Sequence, residues 1–163
     1  MKILTTLFFA GAAILAGGQA YAHSDAPHPK KQTAPVDAEQ KDFGIAGDPK
    51  NVSRAVQLGM IDGMRFAPSA LKVRRGETIR FIVKNNGKLM HEMVIGTMKD
   101  LTEHAALMKQ HPGMEHDEPH MAHVAPGKTE EIVWQFNRPG EFHFACLVAG
   151  HFEAGMVGKI SVE

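Results

Sequence analysis

The tightest constraint on this chain lies near its C-terminus, where two strand-like runs flank a loop dense in metal-binding side chains. Glu141-Phe142-His143-Phe144-Ala145-Cys146 reads as one strand and Gly158-Lys159-Ile160-Ser161-Val162 as the next. Cys146 is the only cysteine; His151 lies five positions beyond it and Met156 five beyond that. Side chains alternate across a strand, so Phe142, Phe144 and Cys146 share one face while His143 and Ala145 share the other. Two aromatic residues on its own face send Cys146 toward a core. Taken alone, this pattern fits a buried, inert thiol. The loop argues otherwise, because it is too short to hold His151 and Met156 far from the sulfur. Gly150 and Gly155 allow the backbone to bend tightly around a site.

Thiolate, imidazole and thioether are soft and borderline donors, a set that suits copper. A trigonal copper centre of the blue type takes two imidazoles, one thiolate and a weak axial thioether. The loop supplies Cys146, His151 and Met156. The missing imidazole is expected on a neighbouring strand, and His91 is the best placed, just after an Asn-Gly turn and on the same face as Met93 and Ile95. His143 is the competitor, but its side chain leaves the face opposite Cys146. A lone histidine on an apolar face is otherwise an ordinary core residue, and Met156 could equally be packing ahead of the last strand.

The remaining pattern predicts an all-β domain over residues 51–163. Thr78–Lys84 is the clearest strand, Leu89–Ile95 follows, and strands resume at Thr129–Phe136. About seven short strands separated by turn signals predict a Greek-key antiparallel β-sandwich. One insertion, residues 98–123, interrupts it. Asp100-Leu101-Thr102-Glu103 has the form of a capping box opening a short helix that runs to about Gln110. The insertion is rich in histidine and methionine: His104, Met108, His111, Met114, His116, His120, Met121 and His123. A solvated loop explains its acids and prolines but not so many imidazoles and thioethers. An auxiliary, weaker copper-collecting surface is the expectation, with His104, Met108 and His111 on one helix face.

At the other end, Met1-Lys2, an apolar run and Ala20-Tyr21-Ala22 have the form of a secretory signal over residues 1–22, cleaved before His23. The apolar run is shorter than a membrane span usually needs. The polar stretch 23–50 reads as a flexible tail. His23 at a new amino terminus could chelate copper, although a histidine in an unstructured tail is the simpler reading. Export would place the protein in an oxidising compartment, the periplasm, where a lone thiol is safest buried or metal-bound. With 18 basic and 18 acidic residues the formal charge is zero, so no basic patch suggests nucleic-acid binding.

Residues 60–95 and 124–163 resemble the cupredoxin (plastocyanin-like, type 1 copper) family. The resemblance rests on Met64-x-Phe66-x-Pro68 with Leu71-x-Val73-x-x-Gly76-Glu77-Thr78-Ile79. It also rests on Gly140–Cys146 and Ala154-Gly155-Met156-Val157-Gly158-Lys159-Ile160. It implies a sandwich fold, one type 1 copper and the ligands His91, Cys146, His151 and Met156. The exported chain with its His/Met-rich insertion is similar to periplasmic copper-tolerance cupredoxins of the CopI type. Two departures stand out. Four residues separate Cys146 from His151 where plastocyanin has two, and Glu92 follows the first histidine where Asn is common. The hydrogen bond that commonly ties the two ligand loops is thereby in doubt.

Two functions share such a centre: copper handling for tolerance, which the insertion favours, and one-electron transfer between periplasmic partners docking near His151, with Phe152 on an apolar rim. An oxidase is disfavoured. Ala145 and Leu147 flank Cys146 where a multicopper oxidase has histidines, so the chain is not expected to be an enzyme.

Overall fold

The computed structural model describes residues 38–111, 114 and 116–163. The expected signal segment, His23, and the expected tail up to residue 37 lie outside the described residues. Among the described residues, ten strands form two five-stranded sheets. The first sheet runs in the order β1 (Ile45–Ala46), β8 (Thr129–Gln135), β5 (Thr78–Asn85), β2 (Arg54–Ile61), β3 (Arg65–Ala67). The second runs β4 (Ala70–Val73), β10 (Val157–Val162), β9 (Gly140–Ala145), β6 (His91–Gly96), β7 (Met121–Val124). The expected sandwich is present, but it is not wholly antiparallel: β2 pairs with β5, and β4 with β10, in parallel register. Alternating side chains reveal which face of a strand is buried, not the direction of its neighbour, so the sequence pattern could not report this.

The main core lies between the sheets. Alternate residues of β5 and β8, including Ile79, Phe81, Val83, Ile132 and Trp134, face Met93, Ile95, Phe142, Phe144 and Ile160 from the second sheet. Phe66 meets Phe144 edge-on at 4.9 Å between ring centroids, a favourable aromatic geometry. Gly158 pairs across from Phe144, and a Cβ there would collide with the Phe144 ring. The absent side chain lets that ring pack against β10, beside the strand that leads to Cys146.

A second, smaller core sits on the outer face of the second sheet. Helix α1 (Met98–Gln110) crosses there and buries Leu101, Ala105 and Met108 against Val94, Ala145 and Leu147, with Met121 completing the cluster. Strand β6 is consequently buried on both faces along its whole length. The helix begins earlier than expected. Thr97 is the cap: its Oγ1 accepts from the Asp100 amide at 3.2 Å, and the Asp100 carboxylate accepts from the Thr97 amide at 3.3 Å. Asp100 is thus the last residue of the box, at the third helical position, rather than its start. Among the described residues no helix is long and apolar enough to cross a membrane.

The packed domain also starts before residue 51, which corrects the reading of 23–50 as a tail throughout. Ile45–Ala46 pairs with β8, and Phe43 is buried, stacked on Trp134 at 5.3 Å. The Trp134 indole N–H donates to the Phe43 carbonyl at 3.0 Å. One aromatic and a two-residue strand inside a polar stretch leave no periodicity to detect. Phe43→Ala should therefore lower unfolding stability by about 3 kcal/mol in urea titrations; an unchanged midpoint would mean that this segment is not part of the core.

Candidate metal centre

His91 opens β6 and Cys146 directly follows β9, and these two strands are hydrogen-bonded neighbours. The ladder therefore brings together two ligands that lie 55 positions apart. The Cys146 Sγ lies 3.2 Å from His151 Nδ1 and 3.9 Å from His91 Nδ1. One donor atom from each of the three residues lies within 4.8 Å of the others. Met156 is fully buried in the same core cluster as Cys146. Its loop is closed by backbone bonds: the Cys146 amide donates to the Met156 carbonyl and the Met156 amide to the His151 carbonyl, each at 3.1 Å. Gly150 and Gly155 take positive φ values of 89° and 85°, the left-handed conformation that only glycine adopts freely. The competitor His143 lies on the opposite face of β9 and outside this group.

The electrostatics suit a cation. Burial pushes the Cys146 thiol up to about 12, partly opposed by the Glu92 amide aimed at its sulfur. Burial and the neighbouring His91 hold His151 below its ordinary value, which favours the neutral, ligating imidazole. A buried thiol between two imidazoles forms a thiolate readily only when a metal neutralises it, and one sulfur with two nitrogens is a donor set that copper favours. The residues present thus fit a copper ion held by His91, Cys146 and His151 with Met156 beside them. When bound, copper supplies a Cu(I)/Cu(II) one-electron couple. The chain's own part is to orient the donors and keep water away: His91 and Cys146 are fully buried and His151 is only 9% exposed.

A family model described as copper binding proteins, plastocyanin/azurin family, matches residues 53–163. The chain belongs to this family. It is 50% identical over 121 residues to a protein of Rubrivivax gelatinosus named copper-resistant cuproprotein CopI, covering 74% of this chain and 73% of that one. It is 33% identical over 150 residues to a protein of the same name from Pseudomonas aeruginosa, covering 74% and 82% respectively. Among solved structures, reduced auracyanin from Roseiflexus castenholzii superposes with a TM-score of 0.59 at 21% identity, over 69% of this chain and 98% of that one. At that identity the likeness shows the fold alone.

Two residues that the sequence did not point to, and one that it marked only as a departure, organise the centre of this cupredoxin. Asp62 accepts from the Lys88 and Leu89 amides at 2.8 and 3.2 Å, and its Oδ1 lies 3.1 Å from His91 Nε2. The backbone bonds, more than His91, hold its carboxyl below the usual range. A carboxylate on the distal nitrogen of a ligating imidazole sets the ring's tautomer and orientation. Asn85, fully buried, donates to the Leu89 and Val124 carbonyls, each at 2.8 Å, and so anchors the turn before His91.

Glu92 is the third. Its Oε1 accepts from the Leu147 amide at 2.8 Å, and its own amide donates toward Cys146 Sγ at 3.4 Å. The tie between the ligand loops that the Asn-to-Glu departure put in doubt is therefore made, by a carboxylate. A carboxylate with only 2% exposure needs a partner, and His123 Nδ1 lies 3.0 Å from Oε2.

The eight auxiliary donors of the insertion separate into four groups. His104, His116 and His123 come together. Met108 and Met121 are buried in the smaller core. His120 packs edge-on against Phe43 and Trp134, and burial pulls it down to about 4. His111 and Met114 are exposed. No single collecting surface spans all eight, because the amphipathic helix turns Met108 inward and His111, at the helix cap, leaves the helical path.

Two measurements test this account. Asp62→Ala should weaken copper affinity about tenfold or more in competition with a chromophoric chelator; wild-type affinity would remove Asp62 from the site. The Glu92 bond, chiefly, pushes His123 from 6.5 up to about 9. A raised value means stability fully present below about pH 6.5 and lost as pH rises through about 9. Copper-free protein should accordingly have a lower urea midpoint at about pH 10 than at about pH 6, and His123→Gln should flatten that particular slope.

Proposed function

We propose that this chain is an exported, non-enzymatic copper protein of the periplasm that serves copper tolerance, its Cys146 centre cycling between Cu(I) and Cu(II). The buried grouping of His91, Cys146 and His151 within 4.8 Å carries the copper reading. The 50%-identical relative named a copper-resistant cuproprotein supports the physiological role. Export rests on the signal-like segment at 1–22, with cleavage before His23. The non-enzymatic reading rests on the two neighbours of Cys146. Ala145 and Leu147 are buried in the small core beneath α1, so no imidazole beside the cysteine leads toward a further cluster.

A second reading, a dedicated one-electron carrier, is favoured by one observation. Leu89 and Met90, just before His91, and Ile61, beside Asp62, are large apolar residues about half exposed. They offer a docking rim for a redox partner, in place of Phe152, which packs against the small core instead.

The discriminating experiment is growth of a deletion strain in excess copper alongside its respiratory electron flux. Copper sensitivity is expected, restored by the wild-type chain. Cys146→Ser, whose purified protein should lack the intense thiolate-to-Cu(II) visible band, should not restore growth. A defect confined to electron flux would favour the carrier; a band that persists in Cys146→Ser would overturn the site.

A further inference from the structure

The histidines that α1 and the following loop bring together lie outside the group formed by His91, Cys146 and His151. His104 and His116 stand with ring centroids 4.7 Å apart and planes inclined at 46°. The two imidazole ligands of the Cys146 centre, His91 and His151, stand 4.9 Å apart at 49°. The second pair thus nearly repeats the spacing and tilt of the first. Two imidazoles that share an ion at about 2 Å from each nitrogen have centroids roughly 4.5–5 Å apart when the angle at the metal is near-square or tetrahedral. Both pairs fall in that interval.

The environment is also that of a ligand pair. His116 Nδ1 is buried and makes no hydrogen bond, a position that buried polar nitrogens rarely occupy without a role. Burial, more than its neighbours His116 and His123, holds His104 below its ordinary value, the direction that suits a ligating imidazole. Helix packing fixes His104, since Leu101, Ala105 and Met108 on either side of it are buried in the small core. The loop is held by His123, whose Nε2 lies 3.0 Å from the His116 carbonyl. His123 is in turn anchored by the buried Glu92 carboxylate, which also offsets positive charge beside the pair.

We propose that His104 and His116 are the protein ligands of a second copper ion, a mixed imidazole and water site distinct from the Cys146 centre. It narrows the eight donors of the insertion to two. It does not depend on the tolerance reading, and it needs no sulfur ligand. Nitrogen and oxygen donors of this kind suit Cu(II) in a tetragonal arrangement, unlike the trigonal, sulfur-bearing centre.

The test uses the full mature chain loaded with Cu(II) and freed of weakly held metal. Copper content, the visible thiolate band and the electron paramagnetic resonance spectrum are compared between wild type and His104→Gln/His116→Gln. The variant is expected to lose one equivalent of copper and the spectral component with the larger parallel hyperfine splitting, while the visible band stays at full intensity. That intact band also reports that the variant is folded. Unchanged copper content with an intact band overturns the proposal. A drop in copper content accompanied by loss of the band overturns it as well, since the metal would then be leaving the Cys146 centre. Absence of the band from the wild-type protein itself would instead sink the type 1 assignment, so the two failures are distinguishable. His104→Ala alone, which removes one ligand with less disturbance of the loop, should weaken the second equivalent at least tenfold in chelator competition; full retention counts against the site.

Discussion

The Glu92 carboxylate is the contact on which the rest of the centre depends. It belongs to β6, the strand that carries His91. One oxygen takes the Leu147 amide, its own backbone amide points at the Cys146 sulfur, and the other oxygen meets His123. Three segments are joined at one side chain: the first ligand strand, the cysteine loop and the end of the insertion. A buried carboxylate is costly unless paired, and breaking such a pair by removing one partner typically costs about 3–5 kcal/mol. The insertion supplies the pairing imidazole. It is therefore part of the framework of the copper centre, whatever else its histidines bind.

The same logic accounts for the small core. A sheet with one face on the main core and the other in water would leave Glu92 and Val94 exposed. Helix α1 covers that outer face with Leu101, Ala105 and Met108, and Met121 fills the remaining space. This takes water away from the Glu92–His123 pair and strengthens it, since charge interactions grow as the local dielectric falls. On the opposite side of His91, Asp62 is more open to solvent and is fixed by two backbone amides instead. One ligand strand is thus braced by two carboxylates in different settings. Glu92 is buried and paired; Asp62 is partly exposed and hydrogen-bonded.

The strands around the centre were readable because β-strands announce themselves locally. Phe142, Phe144 and Cys146 alternate as the pattern requires and all three lie in the main core. The loop glycines, the choice of His91 over His143 and the position of a helix in the insertion were readable for similar reasons. The insertion's histidines were not. His104, His111, His120 and His123 look alike in sequence, yet one lines a cluster, one caps a helix, one packs on Trp134 and one neutralises Glu92. Phe43 was missed because its partner, Trp134, lies 91 positions away.

By itself, the sequence determined the donor set and the order of strands that delivers it, because period-two alternation, turn residues and the Cys146–His151–Met156 spacing act over a few positions. The tertiary structure alone decided strand direction, the bracing of His91 by Asp62 and of the cysteine loop by Glu92, and which of the insertion's imidazoles meet. Those contacts join residues 29 and 55 positions apart. No local pattern encodes them, because each exists only once two sheets and a helix have closed around the same buried polar groups.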